Sequence, residues 1–212
     1  MFGIVHYGLF LISGIILNIT PGADTLYILG RSVSQGRKAG IVSTLGITTG
    51  SLIHTLLAAF GLSIILAKSA LAFAIVKYCG VAYLIYLGIR TLLAKENQFS
   101  LQGAEDASYQ KIYLQGIFTN LFNPKVALFF IAFLPQFIDP ASSYGPLPFI
   151  LLGLTFLTTG TAWCILIAVF SALTTDKLRS NPKIAAAFNK LSGALFIGLG
   201  LNLLRAKVTR TQ

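Results

Sequence analysis

The chain has 212 residues, of which 55% are apolar and only 10% are charged, and its mean hydropathy is +0.79. A soluble domain carries about 25% charged residues, so this composition excludes an ordinary water-soluble fold. The net charge of +10 does not indicate nucleic-acid binding, because the basic residues form no compact stripe with aromatic residues between them. They lie between apolar segments, as is typical of loops on the cytoplasmic side of a membrane.

Six apolar segments follow one another along the chain, and a membrane-spanning helix needs about 20 such residues. The segments cover residues 4–30, 41–67, 70–93, 112–138, 146–173 and 187–205. We therefore predict an all-α membrane protein with six transmembrane helices, numbered one to six in this order, in a single transmembrane domain over residues 1–212. The first segment lacks the basic start of a cleaved signal peptide and is expected to remain as helix one.

The basic residues of the loops predict the orientation in the membrane. Ten of the sixteen Lys and Arg residues lie in the loops after helices one, three and five, and five lie on the opposite side or in the C-terminal tail. Because this bias sets the topology of membrane proteins, we expect those three loops inside and both termini outside.

The polar interval 94–111 separates two halves of three helices, repeat A at about 1–93 and repeat B at about 112–205. Short motifs recur in the same order in both halves. The matched pairs are Gly14 to Pro21 with Gly116 to Pro124 (one residue longer), Thr48-Thr49-Gly50 with Thr158-Thr159-Gly160, and Lys77, Gly80 and Tyr83 with Lys190, Gly193 and Phe196. Because each half has an odd number of helices, the copies must be inverted relative to one another, as in many secondary transporters.

Helices one and four are each interrupted at a proline, which removes a backbone hydrogen bond and clashes with the preceding turn. Thr20 is expected to cap a second half-helix that begins at Pro21, with Asp24 in its first turn. Asn123 and Pro124 are expected to do the same in helix four. Two such breaks from opposed repeats should meet near mid-membrane, where discontinuous helices form substrate sites.

Asp24 and Lys125 are the only charged residues well inside the predicted helices, and each costs about 2.5–3.5 kcal/mol at the bilayer centre on insertion scales. A pair facing each other with water or substrate between them would offset that cost. A zwitterion suits such a site, with its carboxylate at Lys125 and its ammonium at Asp24. The alternative is two proline kinks and a structural ion pair. The predicted substrate-binding residues are Asn18, Thr20, Pro21, Gly22, Asp24, Asn120, Asn123, Pro124 and Lys125.

Asp24 and His54 are the candidates for proton coupling. Asp24 is the stronger one, since desolvation favours proton binding there and Lys125 opposes it. Histidine titrates near neutral pH and could relay protons, but a single intramembrane histidine also reads as a packed, hydrogen-bonded residue. Asn18 and Asn120 have the same alternative, because each could simply bond a neighbouring helix.

These residues and several other motifs resemble the lysine exporter family, which includes homoserine, threonine and leucine efflux proteins, over essentially the whole chain. The motifs are Thr20-Pro21-Gly22-Ala23-Asp24, Gly36-Arg37-Lys38-Ala39-Gly40, Gly80-Val81-Ala82-Tyr83-Leu84, Asn123-Pro124-Lys125, Phe129-Phe130 and Leu134-Pro135-Gln136-Phe137. The resemblance implies a bacterial inner-membrane exporter of amino acids with six spans, driven by the proton motive force. The family's usual Pro-Gly-Pro-Asp has Ala23 in place of its second proline, which predicts a more pliable break.

We therefore predict a secondary-active, proton-coupled antiporter that exports amino acids or similar small zwitterions across the bacterial cytoplasmic membrane. Its expected partners are the amino acid, protons and membrane lipid, with no nucleic acid, cofactor or metal, and a homo-oligomer is left open. Cys79 and Cys164 form no Cys-x-x-Cys pair, and we predict that they are packing residues.

Three other functions are alternatives. A metal-ion exporter would need a cluster of carboxylate, His or Cys ligands, and a carrier of reducing equivalents would need paired cysteines in helices one and four. The third alternative is a non-transporting membrane scaffold. No nucleophile-and-base motif such as Gly-x-Ser-x-Gly or His-Glu-x-x-His occurs, so the sequence does not predict an enzyme.

Overall fold

The computed structural model describes residues 2–63, 107–139 and 141–170, together with isolated positions between 71 and 93 and between 190 and 201. Predicted helices three and six and most of the predicted linker therefore lie outside the described residues, and so does the complete six-helix arrangement. The described part is helical, with one isolated antiparallel bridge between Ile4 and Ile138.

Five α-helices make up this part of the chain. They are α1 (Tyr7–Ile19), α2 (Ala23–Leu57), α3 (Tyr109–Leu121), α4 (Pro124–Leu128) and α5 (Leu147–Val169). A π-helical turn, Ala58–Leu62, continues α2; after α4 come a second π-helical turn, Phe129–Phe133, and the 3-10 turn Leu134–Phe137. Ala23–Leu62 and α5 each contain an apolar stretch long enough to cross a membrane, and α3 with Pro124–Phe137 makes a third, bent candidate. These helices confirm a multi-pass α-helical membrane protein.

The long helix α2 folds back on itself at Gly36, which has φ 81° and ψ 177°. A Cβ atom on Gly40 would collide with the Ser32 hydroxyl, and Ile28 packs in one cluster with Ile47. Residues eight apart in a straight helix are separated by about 12 Å, so these contacts require the chain to reverse. Residues 23–35, the first limb of α2, thus complete predicted helix one, and residues 37–57, the second limb, form helix two.

The loop that we expected between helices one and two is reduced to this single glycine. A positive φ is readily adopted by glycine because it has no Cβ. Helical conformation therefore extends to both sides of Gly36, across most of the predicted 31–40 interval.

Both helix interruptions lie at the predicted prolines. Helix α1 ends at Ile19 and α2 begins at Ala23, so Pro21 lies between them. Helix α3 ends at Leu121, and α4 begins at Pro124 with a bend of 47° between α3 and Pro124–Phe137. The chain is therefore broken twice, once in each half.

The predicted capping of the first break is wrong. Thr20 is not the N-cap residue of α2, and its hydroxyl donates backwards to the Ile16 carbonyl at 2.7 Å. Gly22 is the residue before α2, and it makes no side-chain cap bond. Pro21 therefore lies in the break and not at the first helical position, between Thr20 and Gly22, which both have extended backbone angles.

The core of the described part contains two buried clusters. The larger is aromatic and joins α1, the run Pro124–Phe137 and α5, with the rings of Phe129 and Phe156 stacked 4.1 Å apart. The smaller contains Ile28 and Ile47 and joins both limbs of α2 to α5. Large apolar side chains on the outer faces of α2 and α5 remain exposed, as expected for helices in a bilayer. They include Leu45, Leu52, Leu56, Leu154 and Ile165.

Candidate functional site

The two helix breaks meet at Lys125. Its ammonium donates hydrogen bonds to the main-chain carbonyls of Leu17 at 3.0 Å and Thr20 at 2.9 Å. The last carbonyls of a helix lack intrahelical partners and carry the negative end of its dipole, so a cation is favourable there. Gly22 lies beside this contact, and a Cβ atom in its place would lie at an ordinary van der Waals distance of 3.4 Å from the Lys125 Nζ.

Asp24 lies on the other side of the first break, in the first turn of α2, as predicted. One of its carboxylate oxygens, Oδ2, accepts a 2.8 Å hydrogen bond from the side-chain amide of Asn120. The other oxygen, Oδ1, is buried and has no hydrogen-bond partner within the described residues. The positive end of the α2 dipole stabilises the carboxylate at this position.

Asp24 and Lys125 do not form a direct ion pair. Lys125 bonds to helix-end carbonyls, and Asp24 bonds to Asn120. An ammonium group has three N–H donors, and the two carbonyls use two of them. The breaks thus present one N–H donor and one unpaired carboxylate oxygen to any molecule that binds between them.

Asn123 caps the second half of helix four, as the sequence predicted. Its side-chain oxygen accepts a 3.0 Å hydrogen bond from the Lys125 backbone N–H, and Pro124 occupies the first turn of α4. The Asn123 amide nitrogen is buried and has no partner in the part of the chain that the structure describes. It adds a second unpaired donor close to Lys125.

Asn18 and Asn120 make equivalent contacts in the two halves. Asn18 donates to the Phe156 carbonyl at 3.3 Å and lies against Gly160, where a Cβ atom would approach its side-chain oxygen to 3.0 Å. Asn120 lies against Gly50, where a Cβ atom would come within 2.7 Å of its own Cβ. Both asparagines therefore bond across helices, which was the alternative to substrate contact in the sequence analysis.

His54 is buried and connects to the same network. Its Nε2 lies 3.4 Å from the backbone oxygen of Asn120, and its ring stacks on Phe130 at 5.5 Å between centroids. Ser51 donates to the Asn120 side-chain oxygen at 3.3 Å. Asn120 thus contacts Asp24, Ser51 and His54, so both candidates for proton coupling meet at one residue.

Leu17, Val126 and Phe156, apolar residues beside the breaks, were not predicted from the sequence, whereas Phe130 belongs to one of the motifs above. Leu17 and Val126 belong to the larger buried cluster, together with Phe130 and Phe156. Leu17 precedes Asn18 and Val126 follows Lys125 in the chain. Phe130 stacks on His54, and the Phe156 carbonyl accepts a hydrogen bond from Asn18. Their separate signal in the sequence is weak, because aromatic and aliphatic residues occur throughout the chain.

The described residues bring no three His, Cys, Asp or Glu side chains close enough to hold a metal ion. Cys164 is a free thiol on α5, and Cys79 lies outside the described residues.

Two proline-broken helices that converge on one carboxylate and one ammonium group inside a multi-pass helical protein define a membrane transporter. Such breaks expose helix ends to a solute at membrane depth, where unbroken helices would satisfy all their own backbone groups. The chain belongs to the LysE type translocator family, whose model matches residues 15–207. This membership confirms the resemblance found in the motifs and identifies the chain as a transporter and not an enzyme.

Several curated proteins are similar to the chain over most of its length. It is 33% identical over 193 residues to the uncharacterized membrane protein YrhP of Bacillus subtilis (strain 168), covering 86% of this chain and 90% of that protein. It is 31% identical over 200 residues to an uncharacterized membrane protein of Vibrio cholerae serotype O1, covering 93% and 96%. It is 29% identical over 203 residues to the leucine efflux protein of Salmonella typhimurium, covering 95% and 96%. No solved structure matches the chain.

Proposed function

We propose that this protein exports an amino acid with an apolar side chain across the bacterial cytoplasmic membrane. The observation that carries the proposal is the convergence of the two breaks on Asp24 and Lys125, each with unused hydrogen-bonding capacity. The similarity to a leucine efflux protein supports the class of substrate. The substrate site comprises Asn18, Thr20, Pro21, Gly22, Asp24, Asn120, Asn123, Pro124 and Lys125.

The substrate binds as a zwitterion between the breaks. Its ammonium group meets the free oxygen of Asp24, and its carboxylate meets the third N–H of Lys125 and the amide of Asn123. Charge-assisted hydrogen bonds of this kind are about twice as strong as neutral ones. Asn18 and Asn120 act by holding α5, the second limb of α2 and Asp24 around the substrate.

The apolar neighbours favour an apolar substrate side chain. Leu17 and Val126 flank the breaks, and Phe130 and Phe156 lie against the same cluster. Burying one leucine side chain against such a surface contributes about 1.5–3 kcal/mol. A third charge on the substrate would find no partner among these four residues.

Proton coupling follows from competition at Asp24. The ionised carboxylate binds the substrate ammonium on the inside, and a proton from the outside then takes the place of the ammonium and releases the substrate. The site with its protonated Asp24 then faces the inside again and releases the proton there. One proton therefore enters for each amino acid that leaves. His54 and Asp24 both contact Asn120, and His54 transfers the proton between Asp24 and water.

The architecture that supports this cycle is a pair of inverted repeats with both termini outside and the apolar outer faces of the helices against lipid. In the described part, Asn18 of repeat A lies on Gly160 of repeat B, and Asn120 of repeat B lies on Gly50 of repeat A. Exchanging the halves would exchange these two contacts, which is the relation that a two-fold axis requires.

Leucine flux in proteoliposomes tests the proposal. Vesicles that contain the protein and labelled leucine should release it when an inward proton gradient is imposed. Asp24→Asn and Lys125→Ala should each slow release on the order of 10- to 100-fold, as expected for the loss of a hydrogen bond to a charged group. Asp139→Asn and Lys111→Ala change the same residue types at exposed positions and should leave release unchanged.

Flux that continues unaltered in both site variants would overturn the site. Flux of a divalent metal ion in place of amino acids would favour the metal-exporter alternative, and the absence of any solute flux would favour the scaffold.

A further inference from the structure

A second set of polar contacts joins the first limb of α2 to α3, away from the breaks. Arg31 is buried, and its guanidinium donates through Nη1 to Gln35 at 2.8 Å and through Nη2 to Gln115 at 2.9 Å. The planar fork of arginine can reach two such oxygens at once, which the single nitrogen of lysine does not reproduce. Arg31 therefore ties one half of the protein to the other.

Two further bonds extend this contact along the same pair of helices. The Tyr27 hydroxyl donates to the Ile112 carbonyl at 2.7 Å, and the Gln35 amide donates to the Ala107 carbonyl at 3.0 Å. Tyr27, Arg31 and Gln35 are four residues apart and so lie on one face of the limb. We call Tyr27, Arg31, Gln35 and Gln115 the polar seam.

The polar seam runs from the substrate site to one end of the helices. Asp24 and Gln35 are on the same limb, and a helix rises about 16 Å over that interval. The apolar core of a bilayer is about 30 Å thick, so the seam extends from mid-membrane to one membrane surface. At the other end of the molecule, the facing helices are closed by aromatic contacts such as Phe10 with Phe137 at 5.2 Å.

The end of the seam lies beside basic residues. Arg37 and Lys38 follow the turn at Gly36, and Lys111 lies in the first turn of α3. Because Lys and Arg are enriched in cytoplasmic loops, we expect the seam to face the cytoplasm. A charged amino acid that moves between the site and this surface would need hydrogen bonds along its way.

We propose that the polar seam is the cytoplasmic gate of the transport route and that Arg31 is its positioning residue. This inference rests on the function proposed above. The bonds of the seam are formed here, so the gate is closed. Opening separates the first limb from α3, exchanges these bonds for bonds to water and substrate, and exposes Asp24 to the cytoplasm.

Labelling of a cysteine at the break measures opening without any transport. The reporter is Gly22→Cys in a Cys79→Ala, Cys164→Ala background, treated in inside-out vesicles with a membrane-impermeant thiol reagent. Arg31→Lys and Arg31→Gln should each speed labelling roughly fivefold, the effect of losing about one net hydrogen bond from the closed state. Arg37→Gln removes an exposed charge outside the seam and should leave the rate unchanged. Equal labelling rates in the reporter protein alone and in its Arg31→Lys, Arg31→Gln and Arg37→Gln variants would overturn the gate.

Cross-linking tests the same gate during transport. Gln35→Cys and Ala107→Cys replace two residues joined by a hydrogen bond, and a short reversible thiol cross-linker should slow leucine release at least about tenfold until a reductant is added. Gly30→Cys with Ser34→Cys is the control, because both residues lie on the first limb and their cross-link joins no second helix. Full release through the cross-linked seam contradicts the gate. If the Arg31 variants are labelled faster but the wild-type protein releases no leucine, the gate is supported and the proposed function is rejected.

Discussion

The ammonium of Lys125 lies 2.9 Å from the carbonyl oxygen of Thr20, so the first helix break is completed by a side chain from the second. The relation is reciprocal, because Asn120, at the end of α3, donates to Asp24 at the start of α2. Each break supplies a group that the other needs. The two breaks therefore form one structure, and a change in either is expected to affect both.

Replacing Asn120 by alanine should remove the contact between the two breaks that holds Asp24. The substitution removes the donor to Asp24 and the acceptor for Ser51, which leaves buried polar groups unpaired at about 1–3 kcal/mol. We expect a lower temperature of unfolding in detergent and at least about tenfold slower leucine release. Gln136→Ala is the matched control, since that amide bonds only the Ala132 carbonyl among the described residues, four positions back. Normal release by Asn120→Ala would show that Asp24 needs no positioning.

Gly50→Ala and Gly160→Ala should have similar effects in the two halves. Each adds a methyl group against an asparagine, at 2.7 Å from Asn120 Cβ and at 3.0 Å from Asn18 Oδ1. Overpacking of this kind costs about 1–3 kcal/mol, with the larger loss expected at Gly50. Gly30→Ala points into open space on a helix and should be neutral or stabilising by up to about 1 kcal/mol. Thermal unfolding of the three variants checks this order, and a stable Gly50→Ala protein would contradict the close packing.

Local rules predicted the breaks well, because proline and capping residues act within a few positions of the chain. Pro21 and Pro124 interrupt their helices, Asn123 caps α4, and Asp24 lies in a first turn. The cap at Thr20 was predicted wrongly because α2 begins at Ala23 and not at Pro21. Thr20 instead lies at the end of α1, where its hydroxyl donates to the Ile16 carbonyl and its own carbonyl accepts from Lys125, a tertiary contact that the local sequence does not predict.

The partners inside the site could not be predicted from sequence. Charge alone suggests that Asp24 and Lys125 face each other, and the structure brings both to the same break. It does not follow from sequence that Asp24 bonds Asn120, or that His54 reaches the backbone of that residue. Those contacts depend on how α3 packs against α2, and the pattern of apolar residues does not encode that register. The reversal between helices one and two was expected, but its reduction to the single residue Gly36 was not, because the length of the turn depends on how the two limbs pack together.

His54 should affect coupling more than substrate binding. Its ring nitrogen contacts the Asn120 backbone and its ring stacks on Phe130, so it has no direct bond to the proposed substrate groups. His54→Gln should therefore leave leucine counterflow without a pH gradient within about twofold of wild type. Release driven by a pH gradient should fall at least about tenfold, because a group that transfers protons is lost. Equal losses in both assays would assign His54 a structural role alone.

The most direct test of the zwitterion site compares three ligands that share one apolar side chain: leucine, its decarboxylated amine and its deaminated acid. Competition for leucine binding should show that the wild-type protein prefers leucine to both analogues by on the order of 10-fold or more, since each analogue lacks one charged contact. Asp24→Asn should lose the preference for leucine over the acid, and Lys125→Met should lose the preference for leucine over the amine. Variants that still bind leucine and discriminate against both analogues as strongly as wild type would place the substrate elsewhere in the protein.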